Sequence, residues 1–240
     1  MKIILQKFIA DSGFCSRRKA EDLIRSGKIF VNGKKAESGM KAGEGDEVKI
    51  NGKRLTLAKE KVYIKLNKPK GYTSTAKKFK NEKNVFDLVG TQNFASLRGT
   101  RLFIVGRLDK DSRGLILLTN DGGFAQKMTH PKYEHEKEYI VETGRLGNSE
   151  IRENEIVKKF KQGIAIGEGD GIAKAKEVRY LGKNKFKIIL TEGKKRQIRR
   201  MFKKLGYEVV DILRVRIGKA KLGDLKEGKW ECVPFLTKED

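Results

Sequence analysis

Residues 106–122, GRLDKDSRGLILLTNDG, set three carboxylates, Asp109, Asp111 and Asp121, around an apolar run. Acids so placed could ligate a cation, shape turns, or supply an ionised carboxylate to a reaction. The calcium pattern starts well, since residues 109–114 read D-x-D-x-x-G. It then fails: Arg113 stands at the fifth loop position and Asn120 at the twelfth, where a bidentate glutamate belongs. Asp121-Gly122 reads as turn chemistry. Asp111, two residues beyond Asp109 on extended chain, would share its side. Two ionised acids there repel, so Asp111 is expected to turn away and cap the turn before Gly114. Either the acids shape turns at the strand ends, or one of them does chemistry on a ligand that the basic chain has bound. A phosphate loop is excluded at residues 223–230, GDLKEGKW. Trp230 stands where Ser or Thr would hold magnesium, and no helix pattern follows, so the stretch reads as a β-turn.

The ligand's charge follows from composition. Fifty-five Lys and Arg oppose 31 Asp and Glu, a net charge of +24 over 240 residues, which points to a polyanion and first to nucleic acid. The densest basic segment is residues 191–204, TEGKKRQIRRMFKK, with seven basic residues and one acid. A helix is expected there from about Lys195. It carries Arg196, Arg199, Arg200 and Lys203 at three- and four-residue spacing over an apolar stripe of Ile198, Met201, Phe202 and Leu205. One of these arginines could reach a buried carboxylate while the others hold backbone phosphates; spacing alone permits Arg196 or Arg199.

The elements that must position these groups fall into two expected domains, residues 1–60 and 61–240, joined at the polar stretch AKEK, residues 58–61. In the first, Leu5, Phe8 and Ile9, then Ala20, Leu23 and Ile24, have the spacing of two short helices, with Ser16 as N-cap of the second. Short β-runs follow, with Asn32-Gly33 and Asn51-Gly52 at tight turns. Residues 1–60 hold 14 basic and eight acidic residues. Arg17, Arg18 and Lys19 gather at a helix start, where backbone N–H groups also favour phosphate. The remainder alternates strand-like VYIKLNKP, RLFIVGRLD, GLILLTND, EYIVET, KFKIILTEG and VVDILRVRIG with helix-like GGFAQKMTH, SEIRENEIVKKFKQG and KRQIRRMFKKLG. Strands often follow one another directly, so the fold class is α+β with a mixed, largely antiparallel sheet. The lysine-rich stretch at residues 73–84 reads either as a loop that orders on RNA or as a solvated one. Two distant cysteines, Cys15 and Cys232, and two histidines without zinc spacing imply neither a disulfide framework nor a metal. With no long apolar run and no leader pattern, a cytoplasmic protein without membrane contact is expected.

Four ordered motifs together resemble a known family. NKPKGY (67–72), GRLDKDSRGLILLTNDG (106–122), HEKEYIV (135–141) and EGKKRQIRRMF (192–202) are similar to those of the ribosomal-RNA pseudouridine synthases, in the branch with an N-terminal alpha-L RNA-binding domain resembling a ribosomal protein. The resemblance covers nearly the whole chain. It implies two half-sheets joined into one mixed sheet, a basic cleft across the middle, no cofactor and ribosomal RNA as partner. It matches Asp109 to the catalytic aspartate and Arg107 to an arginine that enters the RNA stack in place of the flipped nucleotide. It matches Tyr139 to a tyrosine that stacks on the target base, a candidate for the C5 proton transfer, and Arg199 to the basic residue paired with the aspartate. Further RNA contacts are expected from Arg17, Arg18, Lys19, Asn32, Lys68, Lys194, Arg196 and Arg200. A monomer acting on large-subunit RNA is expected. The alternatives are small-subunit RNA, or a non-catalytic rRNA-binding assembly factor.

Overall fold

The computed structural model describes residues 2–57, 60–77, 79–90, 101–145 and 152–234. Among these, one unit holds residues 2–62, 101–103 and 119–122, and a second holds 63–90, 104–118 and 123–234. The expected joint at residues 58–61 lies partly outside the described residues.

In the first unit, β1 (Ile3–Ile4) leads into α1 (Leu5–Asp11) and α2 (Arg17–Arg25). Strands β2 (Ile29–Val31), β3 (Lys34–Lys35), β5 (Val48–Ile50) and β6 (Lys53–Arg54) form one sheet in the order β3-β2-β5-β6, while β4 (Lys41–Ala42) pairs with β1. The helix-spaced residues Leu5, Phe8, Ile9, Ala20 and Ile24 are buried together with Ile29, Val48 and Ile50. As expected, Ser16 caps α2, its side chain accepting from the Lys19 amide at 3.2 Å. Asn32 and Gly33 both take positive φ, 51° and 77°, the pair of values a two-residue hairpin turn requires.

The second unit is built on a mixed sheet whose principal path is β13-β14-β10-β15-β9-β7-β17. Its strands are β7 (Tyr63–Lys68), β8 (Phe103–Val105), β9 (Arg113–Thr119), β10 (Lys137–Arg145), β13 (Glu177–Gly182), β14 (Lys185–Leu190), β15 (Tyr207–Ile217), β16 (Ala220–Lys221) and β17 (Trp230–Cys232). The pairing β9·β15 is parallel, and β10 lies antiparallel to both β14 and β15. The α+β reading holds. Short β11 (Ile164–Ala165) and β12 (Ile172–Ala173) pair separately. Around the sheet run α3 (Val85–Gly90), α4 (Gly122–Thr129), α5 (Glu153–Gln162) and α6 (Gln197–Lys204). Residues 149–151 of the expected helical stretch SEIRENEIVKKFKQG lie outside the described residues.

Two apolar cores hold this sheet. One gathers Tyr139, Val141, Ile156, Phe160, Phe186, Ile198, Met201, Phe202 and Tyr207, with the Phe202 ring packed at a tilt against Phe160 and Phe186, 4.7 Å and 5.3 Å between ring centres. The other packs Tyr63, Val105, Leu115, Leu117 and Phe124. The β9·β15 crossing is unusually close. A Cβ at Gly114 (φ 108°) would stand 2.3 Å from the Arg214 carbonyl oxygen, so only glycine admits this pairing.

Candidate active site

Between β8 and β9 the chain makes a loop, residues 106–112, that carries Arg107, Asp109 and Asp111. Gly106 turns it with φ 74°, a left-handed conformation suited to glycine. Four residues outside it, Ser74, Gly71, Lys68 and Arg214, tie its backbone down. The Ser74 hydroxyl donates to the Leu108 carbonyl at 2.8 Å and accepts from the Leu108 amide at 3.2 Å. The Gly71 amide donates to the Lys110 carbonyl at 2.8 Å. The Lys68 ammonium donates to the carbonyls of Pro69 at 2.8 Å and Ser112 at 2.7 Å. Arg214 donates from Nη1 to the Arg107 carbonyl at 3.1 Å and from Nε to Leu115 at 2.7 Å.

Over this loop opens a cleft of about 880 Å³ in the second unit, lined by Arg107, Asp109, Tyr139, Arg196, Arg199 and Arg214 among others. Its walls carry eight Lys or Arg side chains and two acids, Asp109 and Glu192. A volume of that order with such a charge suits an anionic ligand of nucleotide size. Asp109 is half-buried, and its carboxylate makes no hydrogen bond or ion pair within the described residues. Tyr139 is buried on β10, opposite Ile188 of β14 and Arg214 of β15, next to a β-bulge between Glu138 and Tyr139. Bulges re-aim side chains, often beside active sites.

Two family models match the chain: "RNA pseudouridylate synthase" over residues 62–204 and "S4 domain" over residues 5–48. The chain is 41% identical over 229 residues to "Ribosomal large subunit pseudouridine synthase B" of Bacillus subtilis (strain 168), covering 93% of this chain and 89% of that one. The chain belongs to the RNA pseudouridine synthase family. The synthase is also 37% identical over 230 residues to "Dual-specificity RNA pseudouridine synthase RluF" of Escherichia coli (strain K12), covering 94% of this chain and 73% of that one. A solved structure titled "Crystal structure of pseudouridylate synthase" superposes with a TM-score of 0.67 at 29% identity, covering 97% of this chain and 96% of that one.

The synthase departs from expectation at several charged residues. The Asp111 carboxylate is spent on a distant partner rather than on capping the turn before Gly114. Arg196 grips it with two hydrogen bonds, Nη1 to Oδ1 at 3.1 Å and Nη2 to Oδ2 at 2.9 Å. Arg199, expected to pair with Asp109, faces Asp111 instead. Its Nη2 donates to the Asp111 carbonyl at 3.0 Å, its Nη1 donates to Val209 at 2.8 Å, and its Nε lies 3.2 Å from Asp111 Oδ2. The cause is local. Arg196 takes a left-handed conformation (φ 49°) as N-cap of α6, so the helix starts at Gln197 rather than Lys195 and both guanidiniums converge on Asp111.

Three expected RNA contacts serve the fold. Lys68 has 0% exposure, its ammonium enclosed by loop carbonyls, and so does not reach RNA. Burial pushes that ammonium down to about 8; Asp111 and Asp109 oppose the shift and Arg214 adds to it. Arg200 turns from the cleft to Asp170 and the carbonyls of Ile166 and Gly167. Asn32 spends its side chain on Asp46 and the Glu47 amide, both at 2.8 Å. Lys194 lines the cleft, though its ammonium is tied to the Ile172 carbonyl at 2.5 Å. Arg107 is exposed at the cleft, and Arg17, Arg18 and Lys19 are exposed on α2. The loop at residues 73–84 is closed at its base by a bridge between Thr73 and Asn84; Lys78 within it lies outside the described residues.

Burial would raise the Asp111 carboxyl, but the hydrogen bond from Arg196 and the charges of Arg199 and Arg196 outweigh it and hold the carboxyl below its usual range. Burial acts likewise on Asp211, where Arg113 and Lys70 prevail. A depressed carboxyl contributes stability that is complete above the unfolded value, roughly 3.9, and lost as pH falls through the folded one. Wild-type protein is therefore expected to lose stability below about pH 4, and Asp111→Asn should flatten that loss in urea titrations followed by circular dichroism.

Proposed function

We propose that this synthase converts a uridine of large-subunit ribosomal RNA to pseudouridine, with residues 1–60 docking the RNA and 61–240 performing the reaction. The observation that carries the reading is Asp109, a carboxylate without a hydrogen-bond or ion-pair partner among the described residues, lining a basic cleft that Tyr139 also lines. The large-subunit assignment is supported by the similarity to the Bacillus subtilis protein named for that subunit.

The reaction breaks the bond from C1′ to N1, turns the uracil and bonds C1′ to C5. C5 then gives up its proton and N1 gains one, so the product is an isomer and no electrons leave. The uridine must first be extruded from its stack, at a cost of a few kcal/mol. Arg107, exposed at the cleft, fills the gap left behind. Tyr139 presents an aromatic face to the flipped base and its hydroxyl to the C5 proton, base stacking contributing about 1–3 kcal/mol. Asp109 acts ionised, either attacking the ribose or taking its proton. Arg196 and Arg199 set the loop's shape through Asp111 and add positive potential for phosphates.

Changing Arg17, Arg18 and Lys19 together to alanine is expected to weaken RNA binding and lower the slope of log Kd against log salt by roughly 2 to 3. Filter binding from low to moderate salt measures both; an unchanged slope would remove α2 from the interface. For the function itself, pseudouridines are mapped in ribosomal RNA from cells with and without the gene. Loss of a large-subunit position is expected. Loss of a small-subunit position would overturn the subunit, and no loss would overturn the activity in favour of a non-catalytic assembly factor.

A further inference from the structure

Between α4 and β10 the chain makes an aromatic step, residues 130–135 (HPKYEH), that none of the roles above uses. Pro131–Tyr133 form one 3-10 turn, the His130 ring accepting from the Lys132 amide at 3.2 Å and the Tyr133 amide donating to the His130 carbonyl at 3.1 Å. Glu134 closes the turn in a left-handed conformation, φ 46°, with its amide on the Pro131 carbonyl at 3.1 Å. The backbone is thus fixed before any ligand arrives, and little ordering entropy is lost on binding.

Tyr133 is the open member of the step, 42% exposed. Its ring meets two imidazoles, His130 edge-on at 6.2 Å and His135 at a tilt at 6.1 Å between ring centres. A tyrosine that served only the fold would bury its ring; this one stays open, and its hydroxyl makes no hydrogen bond within the described residues. Its neighbours belong to the cleft. His130, Pro131 and His135 line it, as do Lys137 and Tyr139, whose side chains share one face of β10. Tyr133 precedes Tyr139 by six residues, at most about 22 Å of extended chain, the reach of a few nucleotides of single strand.

An exposed aromatic ring beside a basic, nucleotide-sized cleft offers its face to an unstacked base. Lys132 supplies the matching charge, its ammonium lying 4.7 Å from the Tyr133 ring centre. That contact is weak at an exposed ring, and the flexible stem lets the ammonium pass to a backbone phosphate as a base takes its place.

We propose that Tyr133 is a second base-stacking site, holding an unpaired base of the substrate RNA a few nucleotides from the uridine bound at Tyr139, with Lys132 on the adjoining phosphate. The inference rests on the cleft being the seat of the target uridine. Because every base has a π-face, the site selects an unpaired position rather than a sequence.

The test measures affinity by filter binding on the full chain, with the shortest large-subunit rRNA fragment that the wild type binds. The fragment is used intact or with one abasic site placed in turn at each unpaired nucleotide. Tyr133→Ala should weaken binding of intact RNA about tenfold, and Tyr133→Phe, which keeps the ring, should stay within about twofold of wild type. At one abasic position away from the target uridine, the wild type and Tyr133→Phe should lose about tenfold while Tyr133→Ala loses nothing further, the signature of a single contact removed twice. An alanine variant within about twofold of wild type on intact RNA would overturn the proposal, as would losses that multiply at every abasic position away from the target. Tritium release by the wild type from the C5-tritiated fragment is read separately, and its absence would overturn the catalytic reading whatever the affinities show.

Discussion

Asp109→Asn is expected to lower tritium release from C5-labelled uridine in rRNA by about 10³-fold or more, the range that loss of a group acting directly on the reacting atoms produces. Asparagine keeps the shape of the side chain and removes its charge, so it can neither attack the ribose nor take its proton. Folding should be spared. The carboxylate has no hydrogen-bond or ion-pair partner within the described residues, and the loop is held through backbone groups by Ser74, Lys68, Gly71 and Arg214. The thermal midpoint and the RNA dissociation constant should therefore stay close to wild type. That combination, chemistry lost with fold and binding kept, separates a catalytic acid from a structural one. An assembly factor that merely retained the fold would give an Asp109→Asn protein indistinguishable from wild type.

The largest effect on stability is expected at Gly114→Ala. The added Cβ would meet the Arg214 carbonyl oxygen at 2.3 Å and its amide nitrogen at 2.7 Å, both backbone atoms that cannot rotate aside, at a φ of 108° that disfavours any side chain. Strands β9 and β15 would have to separate, and the Arg214 contacts with Leu115 and Arg107 would open with them. A cost of roughly 3–5 kcal/mol is expected, the upper range for a single substitution, which lowers the thermal midpoint by about 10 °C or more. Gly106→Ala supplies the contrast. That glycine also has positive φ, 74°, but open space where the Cβ would go, so only the backbone penalty applies, about 1–2 kcal/mol. Urea and thermal melts of the two variants measure the difference. Equal losses at both positions would show that the close strand crossing is not what requires glycine at 114.

The sequence made some of this legible and hid the rest for physical reasons. Helix-spaced Leu5, Phe8 and Ile9 and the Asn-Gly turns signal local structure, because propensity and turn geometry act within a few residues. The long alternating or apolar runs of β9, β14 and β15 could be read for the same reason. Strands as short as β11 and β12, and helix α3, carry too few residues for a period to emerge. Charge gave the most misleading signal. Lys68 and Arg214 look like surface cations, yet both are buried, their polar ends on backbone carbonyls that only the tertiary fold brings together. Asp111 looked like a turn cap because its partners lie 85 and 88 residues away. The left-handed Arg196 that brings them there gives no sequence sign, since such a conformation is uncommon outside glycine and asparagine. Spacing offers Arg196 or Arg199 as partner of a single acid, whereas both arginines serve Asp111.

Tritium release with the purified wild-type chain, using separate C5-tritiated transcripts of large- and small-subunit rRNA and no added cofactor, tests the central claim most directly. With enzyme in excess, the account predicts release of one proton equivalent per large-subunit transcript, an uncut RNA, and one uridine replaced by its isomer on nucleoside analysis. Tight binding of both transcripts with no tritium release from either would contradict it, as would release of free uracil or a shortened RNA chain.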